Sequence, residues 1–277
     1  MPSGPADWWW DGAVRMPTER ADPPHADAGA ANAPARPCDD CRYAATLLAR
    51  AACDPAAVCV LALSGQRIDR FFRRHPQEAA SWLDDGFWER RAIAARYAPL
   101  PAVAALAADA DEVVRRVVAS RLPPAAALAL AGDPDREVRI TVAHRLDAEQ
   151  LLLMAADPDY MVRVVVAQRL AHGKLPRLAH DPEREVRKTI ARRLPAFALA
   201  RLLDDRDAEV RRIVAERALP EHAARLLDDP DWLVRLAAVG RAPLDVLDRS
   251  LEDPEPEVRQ AARERLQQSH STSENSA

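Results

Sequence analysis

DPDREVR at residues 133–139 returns as DPDYMVR at 157–163 and as DPEREVR at 181–187, each copy 24 residues after the last. Two further copies, DPDWLVR and DPEPEVR, begin at Asp229 and Asp253. Degenerate copies begin at Asp109 (DADEVVR), Asp205 (DRDAEVR) and Asp85 (DGFWERR), so the interval holds without insertion from residue 85 to 266. Its arginine column reads Arg91, Arg115, Arg139, Arg163, Arg187, Arg211, Arg235 and Arg259. An interval held over eight units means that each occupies the same space as its neighbour, the signature of a stacked solenoid.

Within a unit, the opening Asp is expected to cap a helix by accepting a backbone N–H. Pro follows at the first helical position, where its missing donor costs nothing. Asp135 and Glu137 then suit the positive end of the helix dipole. Val138, Thr141, Val142 and Leu146 form an apolar stripe about three turns long. Pro123, Pro195 and Pro243 redirect the chain just beyond such helices. The second half of a unit, spaced as in Leu199, Leu202 and Leu203, lasts only six to eight residues. That is too short for another full helix and predicts an α turn or a 3₁₀ segment. No stretch alternates as a strand does. The fold class is therefore all-α, a solenoid of about eight 24-residue repeats.

A second column, Arg121, Arg145, Arg169, Arg193, Arg217, Arg241 and Arg265, lies seven residues after each motif Val, near the apolar face. A buried unpaired guanidinium would be expensive. Each is expected at a helix C-terminus, bound to a carbonyl or to a recurrent Asp of a neighbouring unit, in a ladder of Arg–Asp contacts. The alternative is a phosphate-binding stripe. Residues 85–266 carry 30 Lys and Arg against 31 Asp and Glu, a net of −1, which favours the ladder.

All four cysteines lie ahead of the repeat, as C-x2-C-x11-C-x5-C at Cys38, Cys41, Cys53 and Cys59. Four clustered thiols with none elsewhere read as a metal site, either zinc or an iron–sulfur cluster. A second C-x-x-C pair and a C-x2-C-x2-C run are both absent, so spacing only leans toward iron–sulfur. His75 reads as a surface residue after a helix. Arg67, Arg70, Arg73 and Arg74 are placed to offset the charge of a thiolate cluster, and Phe71 and Phe72 to shield it from water. Ten of the 13 aromatic residues precede residue 100 and suit a cap over the first apolar face of the array.

The organisation that follows is a disordered tail over 1–37, a four-cysteine module and cap over 38–84, the solenoid over 85–268 and a polar tail over 269–277. Trp8-Trp9-Trp10, flanked by Asp7 and Asp11, is the exception within the first tail: a docking peptide, or a segment that folds back onto its own chain. The net charge of −4 gives no general bias toward nucleic acid. No run approaches the roughly 20 apolar residues that span a bilayer. The first residues lack the basic and apolar regions of a secretory signal, which predicts a cytoplasmic protein with reduced thiols.

A module opening C-x-x-C-R-Y, followed by 24-residue units with P-x-x-L-x-x-L-A and D-P-D-x-x-V-R, resembles the leucine-rich repeat variant proteins that bind a 4Fe–4S cluster. The resemblance covers about residues 38–266. It implies a right-handed superhelix of α-helices alternating with 3₁₀ helices, and a [4Fe–4S] cluster on Cys38, Cys41, Cys53 and Cys59. Such proteins tend to be encoded near nitrogen-fixation genes, with no established activity. The chain departs from the pattern at Asp85, where Pro and Val are lost, and in the last unit, where Arg263 replaces Ala.

The function expected is a non-enzymatic scaffold that offers an extended concave surface to another protein. No catalytic constellation or phosphate-cradling glycine loop occurs. Alternatives are an electron carrier or iron–sulfur assembly participant docking through the solenoid, and a nucleic-acid-binding helical-repeat protein. The last requires a basic face and fails where the Arg columns are paired.

Overall fold

The computed structural model describes residue 38 and residues 41–274, with side chains through residue 268. The tail up to residue 37, and with it Trp8-Trp9-Trp10, lies outside the described residues, as do residues 275–277. From Cys41 the chain passes through one π-helical segment, Ala44–Leu48, and an isolated bridge between Asp54 and Val58. It then enters α1 (Gly65–Arg74), which buries Ile68, Phe71 and Phe72, and a 3₁₀ segment, Pro76–Trp82.

The solenoid alternates long helices with short second segments. In order these are α2 (Trp88–Tyr97) with α3 (Leu100–Ala104), α4 (Glu112–Arg121) with α5 (Pro124–Ala127), α6 (Arg136–Arg145), α7 (Tyr160–Arg169), α8 (Arg184–Arg193), α9 (Ala208–Arg217) with α10 (Pro220–Arg225), α11 (Trp232–Val239) and α12 (Pro256–Glu274). Second halves such as Gln150–Met154, His172–Leu178 and Ala196–Leu202 are 3₁₀, as their length predicts. No strand occurs among the described residues. One apolar core runs from Tyr43 to Ala262, so the cap and the array share it. The last helix continues to Glu274, into the stretch read as a polar tail; after Pro256 no Pro or Gly interrupts it.

The helix cap is not where the motif suggested. Where it is Asp, the third residue of the motif caps the helix, whereas Glu183 of α8 and Phe87 of α2 make no side-chain cap bond. Asp135 Oδ1 accepts from Glu137 N at 2.9 Å and from Val138 N at 3.1 Å. Asp111, Asp159, Asp207 and Asp231 act likewise. Pro134 therefore precedes the helix, which begins at Arg136. Asp135→Ala is expected to cost about 1 kcal/mol, the usual loss for an N-cap carboxylate, in equilibrium denaturation.

The opening Asp is occupied otherwise. Arg139 donates from Nε and Nη2 to Asp157 at 2.9 and 3.1 Å, while its Nη1 donates to the Asp133 carbonyl at 2.8 Å. The same two-pronged contact links Arg91 to Asp109, Arg115 to Asp133, Arg163 to Asp181, Arg187 to Asp205, Arg211 to Asp229 and Arg235 to Asp253. Each rung joins the helix of one unit to the opening turn of the next. The aspartates also accept a backbone N–H two residues on, as Asp157 does from Asp159. This satisfies the carboxylate on both sides and makes the pair a bidentate one.

The ladder thus belongs to the motif arginines. The second column takes the other expected partner, the carbonyls that end the helix of the preceding unit. Arg193 donates to Ala167 and Leu170 carbonyls at 2.7 Å, and Arg121 to those of Ala95 and Ala98 at 2.6 Å. Arg145, Arg169, Arg217, Arg241 and Arg265 donate to the matching carbonyls of their own neighbours. A helix leaves its last carbonyls without partners, and a cation there suits the dipole.

Bonds from Arg235 hold the Asp253 carboxyl below the ordinary carboxylate range, against the opposing effect of burial. For Asp109 and Asp133 burial pushes upward, and the guanidinium and backbone bonds outweigh it, so both end lowered. A depressed folded value contributes stability that is complete above the unfolded pKa of about 3.9. That contribution is lost as pH falls through the folded values. An acid titration followed by circular dichroism should therefore show stability failing below about pH 4, and less steeply in Asp133→Asn. Parallel profiles for the two proteins would contradict this.

Candidate metal centre

The cysteine module is a set of short turns. Cys41 N donates to Cys38 O at 3.0 Å, closing the C-x-x-C turn, and Ala44 N donates to Cys41 O at 2.9 Å. Ala51 has φ 54, a left-handed conformation that reverses the chain ahead of Cys53. Between Cys53 and Cys59 the loop is pinched by paired backbone bonds between Asp54 and Val58, at 3.0 and 2.7 Å. Cys59 N donates to Arg67 O at 3.3 Å, which ties the last cysteine to α1.

These turns bring all four cysteines to one cavity of about 280 Å³ of atom-free space, part of it open to solvent. The rest of its lining is Tyr43, Ala44, Leu48, Pro55, Val60 and Phe71. All four cysteines are half-buried and none is joined in a disulfide. The cysteines therefore surround a space; among the described residues no three His, Cys, Asp or Glu side chains are grouped to hold a single metal ion. Burial raises the Cys53 thiol pKa, and Cys41, Cys59, Cys38 and Asp54 add to it. Four thiolates this close repel one another unless positive charge sits among them.

The module is braced against the cap. Tyr43 OH donates to Glu78 at 3.0 Å and accepts from Trp82 Nε1 at 2.9 Å. Arg90 reaches back from α2, its Nε donating to the Val60 carbonyl at 2.7 Å and its Nη1 to Asp85 at 2.6 Å. His75 is not the surface residue expected. It is half-buried, packs on Phe71 with ring centroids 5.1 Å apart, and places Nε2 2.9 Å from the Ala52 carbonyl. It braces the Cys53 loop from behind. Of the two phenylalanines, Phe71 lines the cavity while Phe72 packs behind it, against Tyr97. The contributions of Tyr43 and Arg90 carry no signal of their own in the sequence, beyond the R-Y that follows the first cysteine pair.

A solved structure described as a leucine-rich repeat variant with a novel repetitive protein structural motif is 52% identical to this chain. The match covers 82% of this chain and 97% of that one, at a TM-score of 0.78. The chain belongs to the leucine-rich repeat variant family. The family's repeat profile matches residues 136–159, one full unit spanning α6 and the 3₁₀ segment after it. As in this family, the fold is a right-handed solenoid of alternating α and 3₁₀ helices. Two further solved structures match at 18% identity. One is an engineered protein (70% of this chain, 95% of that one, TM-score 0.22). The other is a designed armadillo repeat protein (74% and 87%, TM-score 0.19). Neither adds to the assignment. No curated protein matches. The leucine-rich repeat variant array is a helical repeat scaffold, and no helix among its described residues is long and apolar enough to cross a membrane.

Proposed function

We propose that this leucine-rich repeat variant protein is a protein-interaction scaffold whose N-terminal module, residues 38–84, holds a [4Fe–4S] cluster on Cys38, Cys41, Cys53 and Cys59. The observation that carries it is the convergence of four cysteines, none in a disulfide, on one apolar-walled cavity, ahead of an array whose motif charges are paired with one another. Four thiolates can grip the corners of a four-iron cluster. A structural zinc would instead need sulfurs about 2.3 Å from a single point, and the cysteines ring a space. The bound cluster would supply positive iron among the thiolates and, where accessible, one-electron chemistry. The chain's own residues do the rest: Tyr43, Leu48, Val60 and Phe71 restrict water, and the backbone turns fix the four sulfurs. The solenoid of residues 85–268 presents the surface for another protein, and no catalytic role is assigned to it. A cytoplasmic location and an association with nitrogen fixation belong to the same reading and rest on the resemblance. The paired Arg–Asp rungs argue against the nucleic-acid alternative, since a phosphate contact there would first have to break them.

The test is anaerobic purification followed by iron, sulfide and zinc analysis of the wild type and of Cys53→Ala. About four iron and four sulfide per chain in the wild type, and far less in the variant, is the expected result. Stoichiometric zinc without sulfide would overturn the assignment.

A further inference from the structure

Helix α1 carries four arginines and one aspartate in ten residues, a net of +3, while the whole repeat array nets −1. Arg73 is taken by Asp69 at 2.7 Å. Arg67, Arg70 and Arg74 are not: all three are exposed and none has a carboxylate partner among the described residues. Arg70 makes one long bond, 3.4 Å, to the Ala57 carbonyl. Spaced by three and four, they fall within about 60° on a helical wheel. The stripe flanks Phe71, which walls the cysteine cavity, and the carbonyl of Arg67 accepts the Cys59 N–H.

Offsetting the charge of the cysteine module does not account for these groups. A guanidinium in bulk water contributes about 1 kcal/mol or less at 4 Å from an opposite charge. Arginines that serve the interior are turned inward, as Arg90 is, buried against Trp82 and the Val60 carbonyl. The recurrent arginines of the array are paired rung by rung, whereas α1 gathers three exposed arginines without a carboxylate on one helix face.

We propose that Arg67, Arg70 and Arg74 form the docking surface for an acidic face of a partner protein, which they seat against the wall of the cysteine cavity. Uncompensated charge on one face steers an oppositely charged partner and fixes its register. Because the stripe adjoins the cavity, the partner is one that exchanges electrons or iron–sulfur with the module. That purpose rests on the cluster reading; the docking itself does not.

The experiment uses the full-length chain, purified anaerobically, and a small acidic [2Fe–2S] ferredoxin as the probe, with binding measured by calorimetry at low and moderate salt. The triple variant Arg67→Glu, Arg70→Glu, Arg74→Glu is compared with a charge-matched control, Arg177→Glu, Arg192→Glu, Arg201→Glu, which alters exposed solenoid arginines. Expected is a loss of affinity of about tenfold or more in the α1 variant, shrinking as salt rises, with the control near wild type. Equal losses in both variants, or none in the first, would overturn the proposal. So would tighter probe binding by Asp7→Asn, Asp11→Asn, which would show the chain's own tail to be the occupant. Iron and sulfide content, measured on every variant, separates failure of docking from failure of the cluster assignment.

Discussion

Asp181→Ala is expected to destabilise the array by about 3–5 kcal/mol, because it strands the buried Arg163 guanidinium without its carboxylate. In the native chain Arg163 binds Asp181 through two bonds of 2.8 and 2.9 Å, with side-chain exposures of 11% and 3%. This is far from the surface pairs that contribute about 1 kcal/mol or less. The substitution also removes the acceptor for Glu183 N, loosening the turn that opens α8. Stability in a solenoid is a sum of unit and interface contributions, so a broken central interface should uncouple the two halves. Denaturant unfolding followed by circular dichroism should then broaden or split into two steps. Replacing both partners, Arg163→Met with Asp181→Leu, should recover much of the loss, since no charge is left unpaired. A loss near 1 kcal/mol in the single variant would mean that the rungs decorate the array without holding it.

Phe71→Ala is expected to cost about 3–5 kcal/mol and to weaken cluster retention as well. Phe71 is 1% exposed and packs on Tyr43, Phe72 and His75, with centroids 5.2, 5.4 and 5.1 Å away. Its removal opens the cavity wall and lets water reach the thiols. Phe72→Ala should destabilise by a similar amount, because Phe72 is fully buried, yet it does not line the cavity. Comparing the two by denaturation and by iron retention after air exposure separates cap stability from cavity shielding. Equal iron retention in both variants would contradict the role given to Phe71.

The array was legible because its units are identical in length and DPDxxVR recurs with the right apolar spacing. Short second halves are 3₁₀ or a short α segment, as in α5, for the reason their length gave: one turn has no room to offset the cost of helix nucleation. What the motif concealed was which aspartate does what. Asp133 and Asp135 are both good caps by type, and only the packing of successive units shows that Arg115 occupies the first and leaves the cap to the second. An 18-residue offset between rung partners has no local signature. The two arginine columns were confused for the same cause: a guanidinium satisfied by two carbonyls, such as Arg193, looks in sequence like one that needs a carboxylate. The cysteines were legible as a set by their exclusive clustering. The residues that brace them, Tyr43, His75 and Arg90, were not, because their partners are backbone carbonyls or lie 30 or more residues away.

The most direct test of the central reading is native mass spectrometry of the full chain, prepared without oxygen. A mass equal to the chain plus one unit of four irons and four sulfides, absent from Cys53→Ala, is the result this account predicts. A chain carrying zinc, or one with its four cysteines joined in disulfides after anaerobic preparation, would contradict it.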